Sequence, residues 1–169
     1  GRPPPRPGAR GRGGRLAHLA PLPLAARASG LELDLRQGAG GAYALLPLAP
    51  VVEPDGDCWA RARVRIRELD ASLAWLEALL ACAPSWEHAA EPLGPLAPRT
   101  LSVALVEGWR GEVVHALETG ARGELVHYKV QDPSLRNWMG LAIAVRGNEI
   151  SDFPICNKSF DLSYCGNDL

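Results

Sequence analysis

The chain has 169 residues, of which 47% are hydrophobic and 22% charged. This is the composition of an ordinary globular protein, and the length suffices for one domain with a real core but not for two large ones. The net charge of −1 provides no overall attraction to nucleic acid or to an anionic membrane.

The N-terminal 15 residues consist almost wholly of Gly, Pro and Arg. Residues 1–31 contain six arginines and no acid, so the charge is strongly uneven. Because Pro and Gly oppose both helix and strand, residues 1–20 are predicted to be a disordered tail preceding one domain at 21–169. An RNA-binding arm is the alternative. A solvated tail is favoured, and no nucleic-acid partner is expected, because no aromatic residue is available for base stacking.

The four cysteines fit neither a CxxC motif nor a zinc-finger spacing; they are Cys58, Cys82, Cys156 and Cys165. A disulfide framework is typical of small, loop-rich secreted chains, so reduced thiols in a cytosolic compartment are expected. No run approaches the ~18–20 apolar residues that span a bilayer, and the arginine-rich start lacks the apolar core of a secretory signal. The absence of an initial Met suggests a truncated or partial product.

The first half of the chain predicts one short and one long helix. Prolines limit the first to about residues 22–31. Asp57 is placed to cap a second helix of about 24 residues that starts at Cys58 and ends before Pro84. Apolar residues recur on one face of this helix and are expected to be core, with a solvated charged face opposite and Arg63 and Arg67 as possible interface residues. The apolar set is Trp59, Ala62, Ile66, Leu69, Leu73, Leu76 and Leu80; the charged set is Arg61, Arg65, Arg67, Glu68 and Glu77.

The second half predicts a three-stranded antiparallel meander followed by a short helix. Alternating residues at 101–107, 112–118 and 124–131 are separated by glycine-containing turns, as in consecutive hairpins. Pro133 and Ser134 open a helix to about residue 145, which Arg146 and Gly147 terminate. The final 20 residues lack a clear period and are expected to form an extended or loop-like tail. The predicted fold class is therefore α+β.

Two histidines on the predicted sheet raise the question of a metal site. His115 and His127, with Glu112 and Glu124, have the right ligand types if the strands bring them together. Exposed His and Glu side chains are also common cross-strand neighbours, and this second interpretation is favoured.

Four short motifs in order resemble the D-type subunit of NADH:quinone oxidoreductase (complex I), a family related to the [NiFe]-hydrogenase large subunits. The first is Gly-Asp-x-x-Ala-Arg at 56–61, followed by the long helix. The others are Val106 with Glu107, Arg110, Gly111 and Glu112; Lys129 with Pro133; and Arg146 with Gly147. Gln131 departs from the family's Arg, and Asn137 with Trp138 departs from His-Leu. The resemblance extends from about residue 56 to the end and is weaker over 24–55.

The C-terminal sequence DLSYCGNDL is similar to the end of the hydrogenase large subunit. Asp161 and Asp168 match its two acids, whereas Ser163 and Gly166 occupy the positions of nickel-ligating cysteines. Soft thiolates hold nickel and iron, so the resemblance implies that this chain has no nickel site; Cys165 is out of register, and Leu169 replaces a terminal Arg.

The resemblance also implies a function. It predicts a part of an NADH:quinone oxidoreductase-like or hydrogenase-related oxidoreductase, inactive alone, that contributes to a quinone or acceptor cavity. No cofactor is expected on this chain; the family implies quinone and an iron–sulfur cluster held by a small partner subunit. Such a complex would lie on the cytoplasmic side of the inner membrane. Asp161 and Asp168 are the candidate acid–base groups, supported by Glu107, Arg110 and Glu112. The alternative is a non-catalytic remnant or a docking module that uses its helix.

Overall fold

The computed structural model describes residues 23–82 and 94–165. The predicted disordered tail, the proposed boundary at residue 20, Gly166 and Asp168 lie outside these ranges. Helix α1 spans Pro23–Arg27, α2 spans Ala42–Leu45 and α3 spans Cys58–Cys82. They are followed by β1 (Leu101–Gly108), β2 (Gly111–Thr119), β3 (Leu125–Gln131), α4 (Ser134–Ala144), a 3-10 turn (Ile150–Asp152) and α5 (Phe153–Phe160). The α+β class is confirmed.

The sheet has the predicted order β1-β2-β3, with both neighbouring pairs antiparallel. A two-residue connection, Trp109 and Arg110, joins β1 to β2. Gly111, which follows it, has φ of 128°, a conformation that glycine adopts without a Cβ clash. Each strand begins and ends within one residue of its predicted bounds, because alternation and turn glycines are strong local signals.

The long helix α3 begins where it was predicted. The Asp57 carboxylate accepts a hydrogen bond from the backbone N–H of Ala60 at 2.7 Å, which satisfies one of the otherwise unpaired N–H groups of the first turn. The first helix is shorter than predicted, five residues, but all of them are buried. The described core surrounds it: Leu24 and Ala28 lie with Ala60 and Val64 of α3, whereas Ala25 lies with residues of α4 and α5.

The expected orientation of α3 is wrong. The buried residues of this helix include Arg61 and Arg65, on the side predicted to be solvated, whereas Arg67 and Glu77 of the predicted charged set are exposed. The apolar side is largely exposed: Trp59, Ile66, Leu69, Leu73, Leu76 and Leu80 all keep about half or more of their accessible surface. Periodicity shows that a helix has two chemically different faces, but it does not show which face the same chain covers. The small side chains of Ala60 and Val64 allow α1 to pack closely against the arginine side.

The predicted loop-like tail is also corrected. Residues 153–160 form helix α5, with a proline in its first turn. Cys156 and Phe160, four residues apart, bury their side chains on one helix face. This spacing is a helical signal, but only two residues carry it, and the surrounding Ser, Asn and Asp residues favour turns in isolation. Packing against α3 and α4 decides in favour of the helix.

None of the helices in the described ranges combines the length and apolar character that crossing a bilayer requires.

Candidate functional site

A cavity of about 610 Å³ lies between the first half of α3, the β1–β2 turn and α5. Its lining is predominantly apolar, with a few charged and thiol or hydroxyl groups at the helix ends. The lining residues are Asp57, Cys58, Trp59, Ala62, Arg65, Ile66, Leu69, Trp109, Ile155, Lys158 and Ser159. Part of the apolar face of α3 therefore forms a concave wall, and the segments that build it carry the first two family motifs and the C-terminal region.

Two arginines fasten helix α3 to α5 beneath this cavity. Arg61, 2% exposed, donates hydrogen bonds to the Gly56 carbonyl at 3.1 Å and to the Ser159 hydroxyl at 2.9 Å. Its guanidinium also lies 4.3 Å from the ring centre of Phe160, a cation–π contact. The apolar period of α3 placed Arg61 on the predicted solvated face. The signal that could have identified it is its position as the last residue of the Gly-Asp-x-x-Ala-Arg motif.

Arg65 lies one turn further along α3 and reaches the C-terminal end of α5. Its two terminal nitrogens donate to the carbonyls of Ser159 at 2.6 Å and Phe160 at 3.1 Å. These carbonyls belong to the last turn, where no helical N–H remains to pair with them. Burial lowers the pKa of Arg65, and its buried Nε has no hydrogen-bond partner. The helix end thus gains a positive charge that also borders the cavity.

Asp161 occupies the residue after α5 in a left-handed conformation. Its carboxylate pairs with Lys158 at 2.9 Å and accepts a hydrogen bond from the Trp109 indole N–H at 3.1 Å. Lys158, with smaller contributions from Trp109 and Arg110, lowers the pKa of Asp161, so the group is an anion at neutral pH. Asp161 does not line the cavity itself, but it holds two residues that do. This geometry suits positioning better than proton donation.

The β1–β2 turn brings several motif residues together. Arg110 donates from Nε to the Asp161 carbonyl, and its own carbonyl accepts a hydrogen bond from Asn137 at 2.8 Å. A Cβ on Gly111 would lie 3.6 Å from the Cβ of Pro133, so the turn packs closely against the start of α4. Arg110, Gly111, Pro133 and Asp161 therefore form one neighbourhood.

Other motif residues have different locations. Glu112 pairs with Arg136 at 2.7 Å, and Arg146 and Gly147 lie at the exposed C-terminal end of α4. Glu107 contacts Arg27 instead. The expected cluster of Glu107, Arg110 and Glu112 is therefore divided, and only Arg110 contacts Asp161.

A second charged cluster is centred on Arg27 of α1. Arg27, 1% exposed, contacts the carboxylates of Glu68 at 2.9 Å and Glu107 at 3.0 Å, and donates to the Leu33 carbonyl at 2.7 Å. Burial raises the pKa of Glu107, while the charge and hydrogen bond of Arg27 oppose the rise. The cluster links α1, α3 and β1. Arg27 was not identified from the sequence because its partners are 41 and 80 residues away.

The positions that resemble the nickel ligands carry Ser163 and Gly166 in place of cysteine. Ser163 uses its backbone N–H to bond the Ser134 hydroxyl at 3.0 Å, and its side chain offers an alcohol where a thiolate is needed. Cys165 is exposed. Across the described ranges, no three His, Cys, Asp or Glu residues are grouped so that they could hold a metal ion.

The histidines of the sheet do not meet. His115 lies opposite Val130, and His127 lies opposite Glu118. His115 instead shares a 2.6 Å hydrogen bond with the Tyr128 hydroxyl. The favoured interpretation as cross-strand neighbours agrees with this register. The Glu124 carboxylate accepts a hydrogen bond from the backbone N–H of Arg122 in its own turn at 2.8 Å.

Two cysteines meet at the edge of the cavity, a proximity that the sequence did not predict. Cys58 begins α3 and packs against the buried cluster that contains Cys156 of α5. Arg61 donates to the Cys58 sulfur at 3.3 Å. The two cysteines are 98 positions apart in the sequence, and no CxxC spacing signals the pair.

Comparison with known proteins supports the resemblance. The family model described as the respiratory-chain NADH dehydrogenase 49 Kd subunit matches residues 22–93. Hydrogenase-4 component G of Escherichia coli (strain K12) is 31% identical, with 75% of this chain and 22% of that protein covered. Membrane-bound hydrogenase subunit alpha of Pyrococcus furiosus is 31% identical, covering 80% and 36%. The D-type NADH-quinone oxidoreductase subunit of Clostridium beijerinckii is 35% identical, covering 63% and 26%.

A solved structure shares the fold. A chain of the membrane-bound sulfane sulfur reductase, an archaeal respiratory membrane complex, superposes with a TM-score of 0.72 at 24% identity, covering 86% of this chain and 42% of that one. This likeness concerns the fold alone. The present chain spans between about a fifth and two fifths of the lengths of these similar proteins.

A long helix, an antiparallel meander and a C-terminal helix fastened by Arg61 and Arg65 define a large-subunit type of α+β domain. The chain belongs to the family of the 49 Kd, D-type subunit of complex I and the related hydrogenase large subunits.

Proposed function

We propose that this chain forms one wall of an electron-acceptor cavity in a membrane-associated, complex I-like or hydrogenase-related oxidoreductase. The observation that carries the proposal is the apolar cavity of about 610 Å³ where the motif segments and the C-terminal region meet. In the proposed assembly, a neighbouring subunit holds an iron–sulfur cluster, and the complex lies on the cytoplasmic face of the inner membrane. The electron-transfer activity belongs to the complex rather than to this chain alone.

The cavity lining suits a quinone-type acceptor. Aromatic and aliphatic side chains such as Trp59, Ile66 and Trp109 would contact an apolar ring or tail, because ligand sites combine an apolar lining with a few polar groups. Arg65 and Lys158 supply positive charge at the same wall, which favours an acceptor as it gains electrons. A bound quinone would supply the two-electron chemistry; this chain would bind and orient it.

Asp161 has a positioning role in this proposal. Its pairing with Lys158 and its hydrogen bond from Trp109 fix a cation and an aromatic ring at the cavity wall. Because its pKa is lowered, it is a weak proton donor at neutral pH. Asp168 remains a candidate acid–base residue on the resemblance alone.

A bulky side chain placed in the cavity should weaken the reaction with the electron acceptor. In the native complex, Ile66→Trp is expected to raise the KM for decylubiquinone, with reduced methyl viologen as the donor, and to lower kcat/KM about tenfold, or ~1.4 kcal/mol. Ile150→Trp is the matched control, since Ile150 is 95% exposed and does not line the cavity. Equal kinetics for both variants and wild type would exclude this cavity as the acceptor site.

Metal analysis of the same complex is expected to find iron without nickel.

A second function, docking onto another polypeptide of the complex, is supported by the exposed apolar face of α3. Six large side chains spaced along this helix lie open to solvent, and an apolar patch on a long helix is typical of an interaction surface. The two functions are compatible, because the first turns of this face line the cavity and the later turns extend beyond it.

The exposed helix face should make the isolated chain self-associate. Sedimentation velocity is expected to show dimers or larger species, and Leu73→Glu with Leu80→Glu should shift the chain toward monomer, because burying charge at an apolar contact is costly. Leu101→Glu with Leu105→Glu is the control, since those strand residues are similarly exposed. A sharp monomeric profile for the unaltered chain would contradict self-association through α3.

A further inference from the structure

We propose that Cys58 and Cys156 form a redox-active dithiol that reduces small-molecule disulfides entering the cavity, with Cys58 as the attacking thiol and Cys156 as the resolving thiol. This activity is independent of the proposed quinone-type acceptor. It rests on three geometric features: the packing of Cys58 against the cluster that contains Cys156, the different access of solutes to each thiol, and the polar groups around Cys58.

The packing of α5 against α3 brings the two cysteines close to each other. The structure holds both cysteines in the free form, and Cys58 packs against the buried cluster that contains Cys156. Of two neighbouring thiols, one can exchange with an external disulfide, and the second can then displace the mixed disulfide to form an internal disulfide. Cys82 and Cys165 are exposed and provide an internal comparison.

The two thiols differ in access. Cys58 is half-buried and lines the cavity, so a small solute can reach its sulfur. Cys156 is 2% exposed and packs in the core with Phe160 and Leu141. Only Cys58 can therefore attack a disulfide in the cavity, and Cys156 can afterwards attack the Cys58 sulfur of the mixed disulfide.

The surroundings favour an anionic Cys58. The neighbouring Cys156 contributes most, followed by the Ser159 hydroxyl and Arg61, and together they hold the pKa of Cys58 well below its ordinary value. The thiolate also lies at the first residue of a 25-residue helix, whose N-terminal dipole stabilises an anion. The pKa of Cys156 is raised by the neighbouring Cys58 and by burial, with Asp152 as a nearby negative charge. Arg65 and Lys158 are the other cations at the cavity wall.

The reaction balances as two exchanges. The Cys58 thiolate attacks a disulfide R–S–S–R, forms Cys58–S–S–R and releases RS⁻. Cys156 then loses its proton and attacks the Cys58 sulfur, which forms the Cys58–Cys156 disulfide and releases a second RS⁻. The protein dithiol loses two electrons, the disulfide gains them, and the proton passes to solvent or to a released thiolate. A further turnover requires a dithiol reductant, such as dithiothreitol in the assay.

The test uses the full chain with Cys82→Ser and Cys165→Ser, so that only the proposed pair can react. At pH 6, 4,4′-dithiodipyridine is expected to release two thiopyridones per chain and to leave an internal disulfide, detected between the peptides that contain Cys58 and Cys156. With Cys156→Ala added, one thiopyridone is released and the mixed disulfide stays on Cys58. An internal disulfide that fails to form, or an unreactive Cys58, would overturn the proposal.

A second measurement requires no substitution. In the unaltered folded chain, limiting iodoacetamide at pH 6 is expected to modify Cys58 at least about tenfold faster than Cys82 or Cys165, because an ordinary thiol is almost wholly protonated there. Modification should fall as pH decreases below the lowered pKa of Cys58. Equal rates at the three cysteines would contradict the assignment of Cys58 as the attacking thiol. Loss of quinone reduction without loss of this reactivity would affect only the acceptor proposal.

Discussion

Replacing Arg27 with methionine is expected to lower the free energy of unfolding by about 3–5 kcal/mol, as when one partner of a buried ion pair is removed. The Glu107 carboxylate, 3% exposed, would then lose its principal cation, and the Leu33 carbonyl would lose a donor. Urea denaturation of the full chain followed by circular dichroism measures the change. Arg122→Met, in an exposed turn, is the control and should change stability by less than about 0.5 kcal/mol.

A compensating substitution separates the charge effect from lost packing. Glu107→Gln in the Arg27→Met background removes the unpaired negative charge, so part of the lost stability should return. If the double variant is as unstable as the sum of the two single variants, the arginine acts through packing rather than through its ion pair.

The stability of Arg27→Met should depend on pH in a defined direction. Burial already raises the pKa of Glu107, and loss of Arg27 removes the opposing charge. The folded variant then retains a proton that the unfolded chain releases, so its stability rises as pH decreases from 7 toward the unfolded pKa. The difference in the free energy of unfolding between Arg27→Met and wild type should therefore be smaller at pH 5.5 than at pH 7. Glu107→Gln should abolish this narrowing.

Replacing Arg61 with alanine is expected to destabilise the chain by about 3 kcal/mol, because several buried acceptors lose a charged donor at once. The Gly56 carbonyl and the Ser159 hydroxyl lose their hydrogen bonds, and Phe160 loses its cation–π partner. Since these contacts fasten α5 to α3, hydrogen exchange should accelerate first in α5. Thermal unfolding with peptide-resolved exchange measures both effects.

Arg61→Lys is the informative companion variant. Lysine keeps the charge but lacks the planar fork that reaches three groups at once, so an intermediate loss is expected. Arg146→Ala, at the exposed end of α4, is the control for removal of a motif arginine and should leave stability nearly unchanged. An Arg61→Ala chain as stable as this control would mean that the contact between α3 and α5 does not depend on Arg61.

Local signals in the sequence were sufficient for most of the secondary structure. Alternating residues and turn glycines predicted the meander, and the Asp57 cap and apolar period predicted α3. Helix α5 was missed because its apolar signal consists mainly of Cys156 and Phe160, whereas its neighbours favour turns. Its formation depends on α3 and α4, which no local pattern contains.

The candidate site could be predicted only in part. The motif resemblance identified Arg110, Gly111, Pro133 and Asp161, which the fold brings into one neighbourhood. It did not indicate that Glu107 belongs with Arg27, or that Cys58 meets Cys156. These pairs are separated by 80 and 98 positions, and long-range contacts leave no periodic trace in a single chain.

The sequence by itself determined the family, the meander, the long helix and the absence of cysteine at positions 163 and 166, since each depends on residue identity or on short-range spacing. The tertiary structure alone decided which side of α3 is buried. Amphipathic spacing distinguishes two faces, but burial depends on the partners that each face finds. The arginine face finds the carbonyls of α5 and the small residues of α1, whereas the apolar face borders the cavity and remains open.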